Sequence, residues 1–158
     1  MSLCGPDFDY PPAGDGSCCM GAAVYGPERC TCWTPEYNHD QEPIQPDSVA
    51  GVMPSMCGDC AFKPRSPERT NSDDVRSSTY DLDRCVRTGD PFWCHNGLRR
   101  VVAYTHQPTG TRWVPPGAES AYDPPIVDRI PYKADGTRGD LCAGYTARRR
   151  AHLQQATT

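Results

Sequence analysis

Apolar and polar positions keep a regular period only briefly along this chain, and the clearest periodic stretch lies near its middle. Tyr80, Leu82, Cys85 and Val86 fall on roughly one face of a helix, Ser78 or Thr79 can cap its start, and Gly89 stands where a left-handed C-terminal cap belongs. Pro91-Phe92-Trp93-Cys94-His95 then makes an abrupt re-entry and Asn96-Gly97 predicts a turn. Leu98 to His106 is the best strand candidate, with Thr111 to Val114 pairing back on it as a hairpin. A last helix is expected from an Asp140 cap through Leu141, Cys142, Tyr145 and Arg148 to Leu153, with basic residues in its final turns. Nearer the start, Arg29 to Trp33 predicts a short strand.

The rest of the chain is turn chemistry. Pro11-Pro12-Ala13-Gly14-Asp15-Gly16 bars regular structure, Asn38 to Asp47 with Pro43 and Pro46 reads as a linker, and Ser48 to Met56 is a short apolar stretch. Pro64 to Ser78 reads as an exposed loop, and proline and glycine dominate again from Pro115 to Gly139. The expected organisation is a cysteine- and proline-rich N-terminal extension over 1–40, a linker over 41–47 and a metal-binding domain over 48–158. The fold class is an irregular α+β, a small loop-rich, metal-stabilised domain with a short hairpin and two short helices.

Composition explains why cross-links are needed. With 37% hydrophobic residues, 17 Pro, 14 Gly and only three Phe and three Trp in 158 residues, burial alone leaves little margin, and ten cysteines offer the remedy. Met1 to Pro6 carries neither a basic stretch nor an apolar run, and no later segment approaches the roughly 20 apolar residues of a membrane span. The expectation is therefore a cytoplasmic protein without membrane contact, its thiols reduced and bound to metal; a framework of disulfides is the alternative. A net charge of -4 gives no general footprint for nucleic acid. Arg148-Arg149-Arg150 is the local basic group through which nucleic acid would bind, although short charge runs are usually solvated faces.

The strongest chemical signal is Cys57-Gly58-Asp59-Cys60. Two thiolates separated by two residues can wrap a tight turn so that both sulfurs converge on one metal. A dithiol redox motif has the same spacing, but Pro64 and Pro67 would interrupt the helix that such a motif needs. Cys94 is the best third ligand, with Cys142 preferred to Cys85 as the fourth because helix starts favour thiolates and Ala143-Gly144 lets a bulky centre approach. Phe62, Phe92 and Trp93 are the aromatic residues expected to surround the bound cofactor and keep water from it. His95 points away from Cys94 in an extended stretch, which favours a surface or outer imidazole over a ligand there. Isolated cysteines joining one knuckle suit a [4Fe-4S] cluster, while the general frequency of zinc sites favours zinc, so both cofactors stand open. Cys18, Cys19, Cys30 and Cys32 make a second, weaker site with Cys4 spare, weaker because adjacent Cys18 and Cys19 seldom serve one ion together.

Cys30-Thr31-Cys32-Trp33-Thr34-Pro35, Cys57 to Glu68, Pro91 to Gly97 and Leu141-Cys142-Ala143-Gly144-Tyr145 resemble blocks of a cysteine-rich family of actinobacteriophages and actinobacterial prophages. The resemblance covers most of the chain, implies a viral or bacterial cytoplasmic setting and brings no activity with it. Cys57-Gly58-Asp59-Cys60-Ala61-Phe62 followed by Trp93-Cys94 is also similar, more loosely, to high-potential iron-sulfur proteins, which implies a [4Fe-4S] cluster.

His39, His95, His106 and His152 lack an acidic or hydroxyl partner at any diagnostic spacing, and no phosphate loop, nucleophile elbow or zinc-protease motif occurs. The expected function is that of a small cysteine-ligated metalloprotein, an accessory or interaction protein rather than an enzyme, with a protein partner. Electron transfer or redox sensing by an iron-sulfur cluster is the second expectation, and metal-stabilised nucleic-acid binding the third.

Overall fold

The computed structural model describes residues 18–26, 29–70, 79–115 and 122–157. Its elements are α1 (Met20–Tyr25), β1 (Trp33–Tyr37), α2 (Thr79–Thr88), β2 (Val101–His106), β3 (Thr111–Trp113), β4 (Ile126–Val127), β5 (Ile130–Pro131) and α3 (Ala143–Ala156). This is a small mixed α/β fold of short helices and small antiparallel sheets, with no barrel or extended repeat among the described residues. Asp128 (φ 52°) and Arg129 (φ 67°), the two residues between β4 and β5, are both left-handed, the backbone geometry of a tight two-residue turn.

The chain divides into two compact units, exchanging between them at Pro43/Ile44, Asn96/Gly97, Val127/Asp128, Pro131/Tyr132 and Gly136/Thr137. The first of these crossings falls inside the expected 41–47 linker; the later ones carry no comparable change of composition.

The first unit is built on a three-stranded sheet in the order β1-β2-β3. β1 runs antiparallel to β2 from Trp33 opposite His106 to Tyr37 opposite Val101, with a bulge at Glu36/Tyr37. The strand expected at Arg29 to Trp33 thus begins only where that expectation ends. The physical reason is that Cys30 and Cys32 are turned inward, the Cys32 amide donating to the Cys30 sulfur at 3.4 Å, so the backbone becomes extended only after leaving the cysteines. Pro35 is accommodated because β1 is an edge strand. β3 returns from β2 as the hairpin pattern anticipated, with the Gly110 amide bonded to the His106 carbonyl at 2.8 Å. The core here is Ala22, Cys30, Trp33, Val101 and Tyr104, with Cys18, Cys19, Cys32, Tyr37 and Trp113 packed against it. α1, absent from the expectations, is a six-residue turn of helix that starts directly after Cys19.

The second unit packs α2 beside α3. α2 begins at Thr79 and buries Leu82 and Val86, but Tyr80 is 67% exposed and does not share their face. Ser78 lies outside the described residues. Gly89 has φ 80° at the helix exit, and a Cβ there would meet the Arg149 guanidinium at 2.9 Å. That guanidinium donates from Nη1 to the carbonyls of Val86 at 2.7 Å and Arg87 at 2.8 Å, so a side chain of α3 closes the end of α2. α3 starts at Ala143 with Cys142 as its N-cap residue, two residues past the expected Asp140 cap, because the Asp140 carbonyl is taken by the Cys94 amide at 2.8 Å. It also continues to Ala156, which leaves its last turn without basic residues and Arg148 to Arg150 in mid-helix. Leu141 bridges Val52 on one side and Trp93 on the other, lacing three stretches of chain around the second core of Cys60, Phe62, Leu82, Val86, Cys142 and Tyr145. The segment expected as an exposed loop after Pro64 is, as far as residue 70, a run of tight turns with Ser66 buried and its hydroxyl donating to the Ala61 carbonyl at 2.5 Å; residues 71–78 lie outside the described residues.

Candidate metal centres

Each unit gathers cysteines at its core, and none of the nine described cysteines is in a disulfide. In the first unit the sulfurs of Cys18, Cys19, Cys30 and Cys32 all lie within 4.8 Å of one another. Cys18 and Cys30 are 3.3 Å apart, and the Cys32 thiol points at the Cys18 carbonyl at 3.7 Å. The adjacent pair can join one set because Cys19 is extended (φ -156°, ψ 168°) while α1 begins at the next residue, and this sharp change of direction brings both side chains inward. Cys4 lies outside the described residues.

The electrostatics of these four thiols are uneven. Backbone amides of Ala22 and Thr31 donate toward the Cys19 sulfur and pull its pKa down to about 6, a thiolate at neutral pH. Loss of water around the sulfur, reinforced by its three thiol neighbours, pushes Cys32 up to about 12. The hydrogen bond with Cys30 also raises Cys18. One group is therefore charged before anything binds, while at least two others give up protons only to a stronger competitor such as a metal ion.

In the second unit, Cys57, Cys60, Cys94 and Cys142 line one cavity of about 180 Å³ together with Asp59, Ala61, Glu68, Phe92, Trp93 and His95. The backbone bonds that position them are specific: Cys94 N–H to the Asp140 carbonyl, and Cys142 N–H to the Phe92 carbonyl at 2.9 Å. Cys60 and Cys142 bring their sulfurs to 3.4 Å. Close approach of α3 depends on Gly144, where a Cβ would meet Phe62 at 2.5 Å and the Cys60 sulfur at 3.2 Å. Burial pushes the Cys57 thiol up to about 12 and Cys142 up to about 11, the latter helped by its contact with Cys60.

A further set overlaps this cavity at its edge. Cys57, Asp59 and His95 place their ligand atoms within 4.8 Å of one another, with His95 Nε2 3.1 Å from Asp59 Oδ2. This Cys/Asp/His cluster is capable of ligating a metal ion. Residue spacing passes over Asp59, because it sits inside the knuckle, and ranks His95 low as a ligand, because an extended stretch points it away from Cys94. Glu68 was also missed; its Oε2 is buried without a hydrogen-bond partner.

Of the other residues singled out, Phe92 and Trp93 line the cavity, whereas Phe62 stands behind it, edge-on to Phe92 at 5.1 Å and to Tyr145 at 6.3 Å. Cys85 packs against the second core but is not among the lining residues. The Arg148 to Arg150 group is interrupted by the engagement of Arg149 with α2. No helix among the described residues is long and apolar enough to cross a membrane.

No protein-family model, curated protein or solved structure matches this chain. Its chemistry therefore rests on the arrangement of the donors themselves.

Proposed function

We propose that the protein is a two-centre cysteine metalloprotein whose bound metals hold together an accessory or interaction surface. The observation that carries this reading is the convergence of the Cys18, Cys19, Cys30 and Cys32 sulfurs within 4.8 Å. Tetrahedral Zn–S bonds of ≈ 2.3 Å require sulfurs about 3.8 Å apart, a spacing compatible with this set and too small for the corners of an iron-sulfur cubane. Zinc is the ion proposed there.

For the second unit, zinc is supported by Cys57, Asp59 and His95, whose ligand atoms lie within 4.8 Å of one another, and by the 3.4 Å approach of Cys60 to Cys142 beside them in the same cavity. A [4Fe-4S] cluster is the second reading, supported by the cavity of about 180 Å³ with Phe92 and Trp93 in its wall, and it would carry an electron-transfer or redox-sensing role. The interaction role is supported by α1, which leaves Met20, Val24 and Tyr25 exposed at 77%, 58% and 72% directly after the first cysteine pair. The resemblance to actinobacteriophage and prophage proteins supports a setting in infected or lysogenic host cytoplasm.

Zinc added back to chelator-stripped protein tests the reading. Circular dichroism and thermal melting should show a cooperative structure regained with zinc, and Cys30→Ser should abolish that gain at the first centre. Stripped protein that already melts cooperatively at the same temperature as the zinc form would overturn it.

A further inference from the structure

His106 is fully buried, yet no sequence spacing links it to the cysteines. It closes β2 opposite Trp33, whose ring lies 5.2 Å away, and its two ring nitrogens face two different partners. Nε2 lies 3.4 Å from the Cys30 sulfur and Nδ1 lies 2.8 Å from the Thr109 hydroxyl. Thr109 is in turn 2.8 Å from the Thr111 hydroxyl and receives the Thr111 amide at 3.4 Å. The imidazole is not a member of the converging set of four sulfurs.

We propose that His106 is the outer hydrogen-bond donor of the first metal centre, a positioning residue that holds the Cys30 thiolate and lowers its charge. The inference rests on the reading of Cys18, Cys19, Cys30 and Cys32 as metal ligands. A metal-bound thiolate has no proton to give, so the contact is favourable only if Nε2 carries the hydrogen. Nδ1 must then accept, which makes the Thr109 hydroxyl its donor and leaves Thr109 to receive from Thr111. The hydroxyls at the β2–β3 turn thereby select the tautomer that points N–H at sulfur. Four thiolates around a divalent cation leave a net charge of -2 (four negative, two positive) beside a buried core, and an N–H donor is the neutral group that disperses it without displacing a ligand.

The test uses the full chain loaded with cobalt(II), whose thiolate-to-metal charge-transfer band reports sulfur donation, and with zinc, whose release to a chelator is timed. His106→Leu keeps bulk but removes the donor, His106→Gln can still present an N–H near the position of Nε2, and Thr109→Val removes the group that fixes the tautomer. His106→Leu should shift the band and release zinc about 10–100-fold faster, the usual cost of losing an outer partner, with His106→Gln nearer the parent and Thr109→Val between them. Parent-like spectrum and release in His106→Leu would overturn the inference while leaving the centre intact. If His106→Leu fails to fold, Thr109→Val decides: a shifted band with faster release supports the inference, and parent behaviour overturns it. A parent that binds no cobalt through Cys18, Cys19, Cys30 and Cys32, shown by an unchanged spectrum in Cys30→Ser, overturns the reading of the centre and this inference with it.

Discussion

Cys60 and Cys142 are 82 residues apart in the chain and 3.4 Å apart at their sulfurs. That contact exists because Leu141 is bridged on both sides to backbone and because Gly144 lets the start of α3 settle against the cysteine knuckle. It also separates Cys142 from Cys85, the two residues between which spacing alone chose the fourth ligand. Cys142→Ser should lower metal affinity at the second centre by more than the ~10–100-fold cost of losing an outer partner. Cys85→Ser should keep full metal content and lose about 1 kcal/mol of packing. Equal metal loss in the two variants, measured by metal analysis after dialysis, would contradict the placement.

Zinc uptake at the first centre should expel protons. Cys18 and Cys32 hold theirs well above neutral pH, Cys32 to about 12, whereas Cys19 at about 6 is already ionised. Since the metal takes thiolates and the raised thiols must deprotonate, lowering pH favours the metal-free form. With at least two protons released, apparent zinc affinity should rise on the order of a hundredfold per pH unit near neutrality. A competition titration between pH 6 and pH 8 that shows no pH dependence would contradict this assignment.

Gly144 makes a second structural claim that can be checked independently of any metal assay. A methyl group there would drive into Phe62 and the Cys60 sulfur, and the Phe62 contact is backbone-anchored Cβ rather than a flexible tip. Gly144→Ala should therefore destabilise the second unit by about 1–3 kcal/mol in thermal or denaturant unfolding, despite alanine's better helix propensity. A stabilised Gly144→Ala variant would mean that α3 does not pack this closely.

Arg149 belongs to the fold more than to a nucleic-acid surface. Its two charge-assisted bonds to the last carbonyls of α2 satisfy groups that a helix end otherwise leaves open. Arg149→Ala should cost about 1–3 kcal/mol of stability by denaturant titration, while Arg148→Ala and Arg150→Ala should cost less. If all three variants instead keep parental stability and lose salt-sensitive DNA retention alike, the basic group is a binding face.

The elements legible in the sequence were those whose signals are local. α2 with Gly89, the Asn96-Gly97 turn and the β2–β3 hairpin follow from capping, turn chemistry and alternation within a dozen residues. β1 and the start of α3 were displaced because long-range contacts, the inward turn of Cys30 and Cys32 and the Cys94 bond to Asp140, set where regular backbone could begin. Spacing singles out Cys18, Cys19, Cys30 and Cys32, whose sulfurs converge, and Cys57 of the Cys57/Asp59/His95 set. It does not single out His106, because only the sheet register of β2 brings it to Cys30 from 76 residues away. Adjacent Cys18 and Cys19 give a weak sequence signal for a similar reason: the change of backbone direction at Cys19 that lets both face inward carries no composition signal.

The most direct test of the account is the metal content of protein purified without air or added metal, read together with its visible spectrum and its thermal transition. Two cysteine centres predict about two zinc ions per chain and a colourless protein, with iron and sulfide replacing zinc at the second centre if the cluster reading holds there. Chelation should remove the metal and abolish the cooperative transition, since coordination supplies on the order of 10 kcal/mol to such small domains. A chain isolated with all its thiols reactive, no bound metal and an unchanged cooperative transition would contradict the central claim.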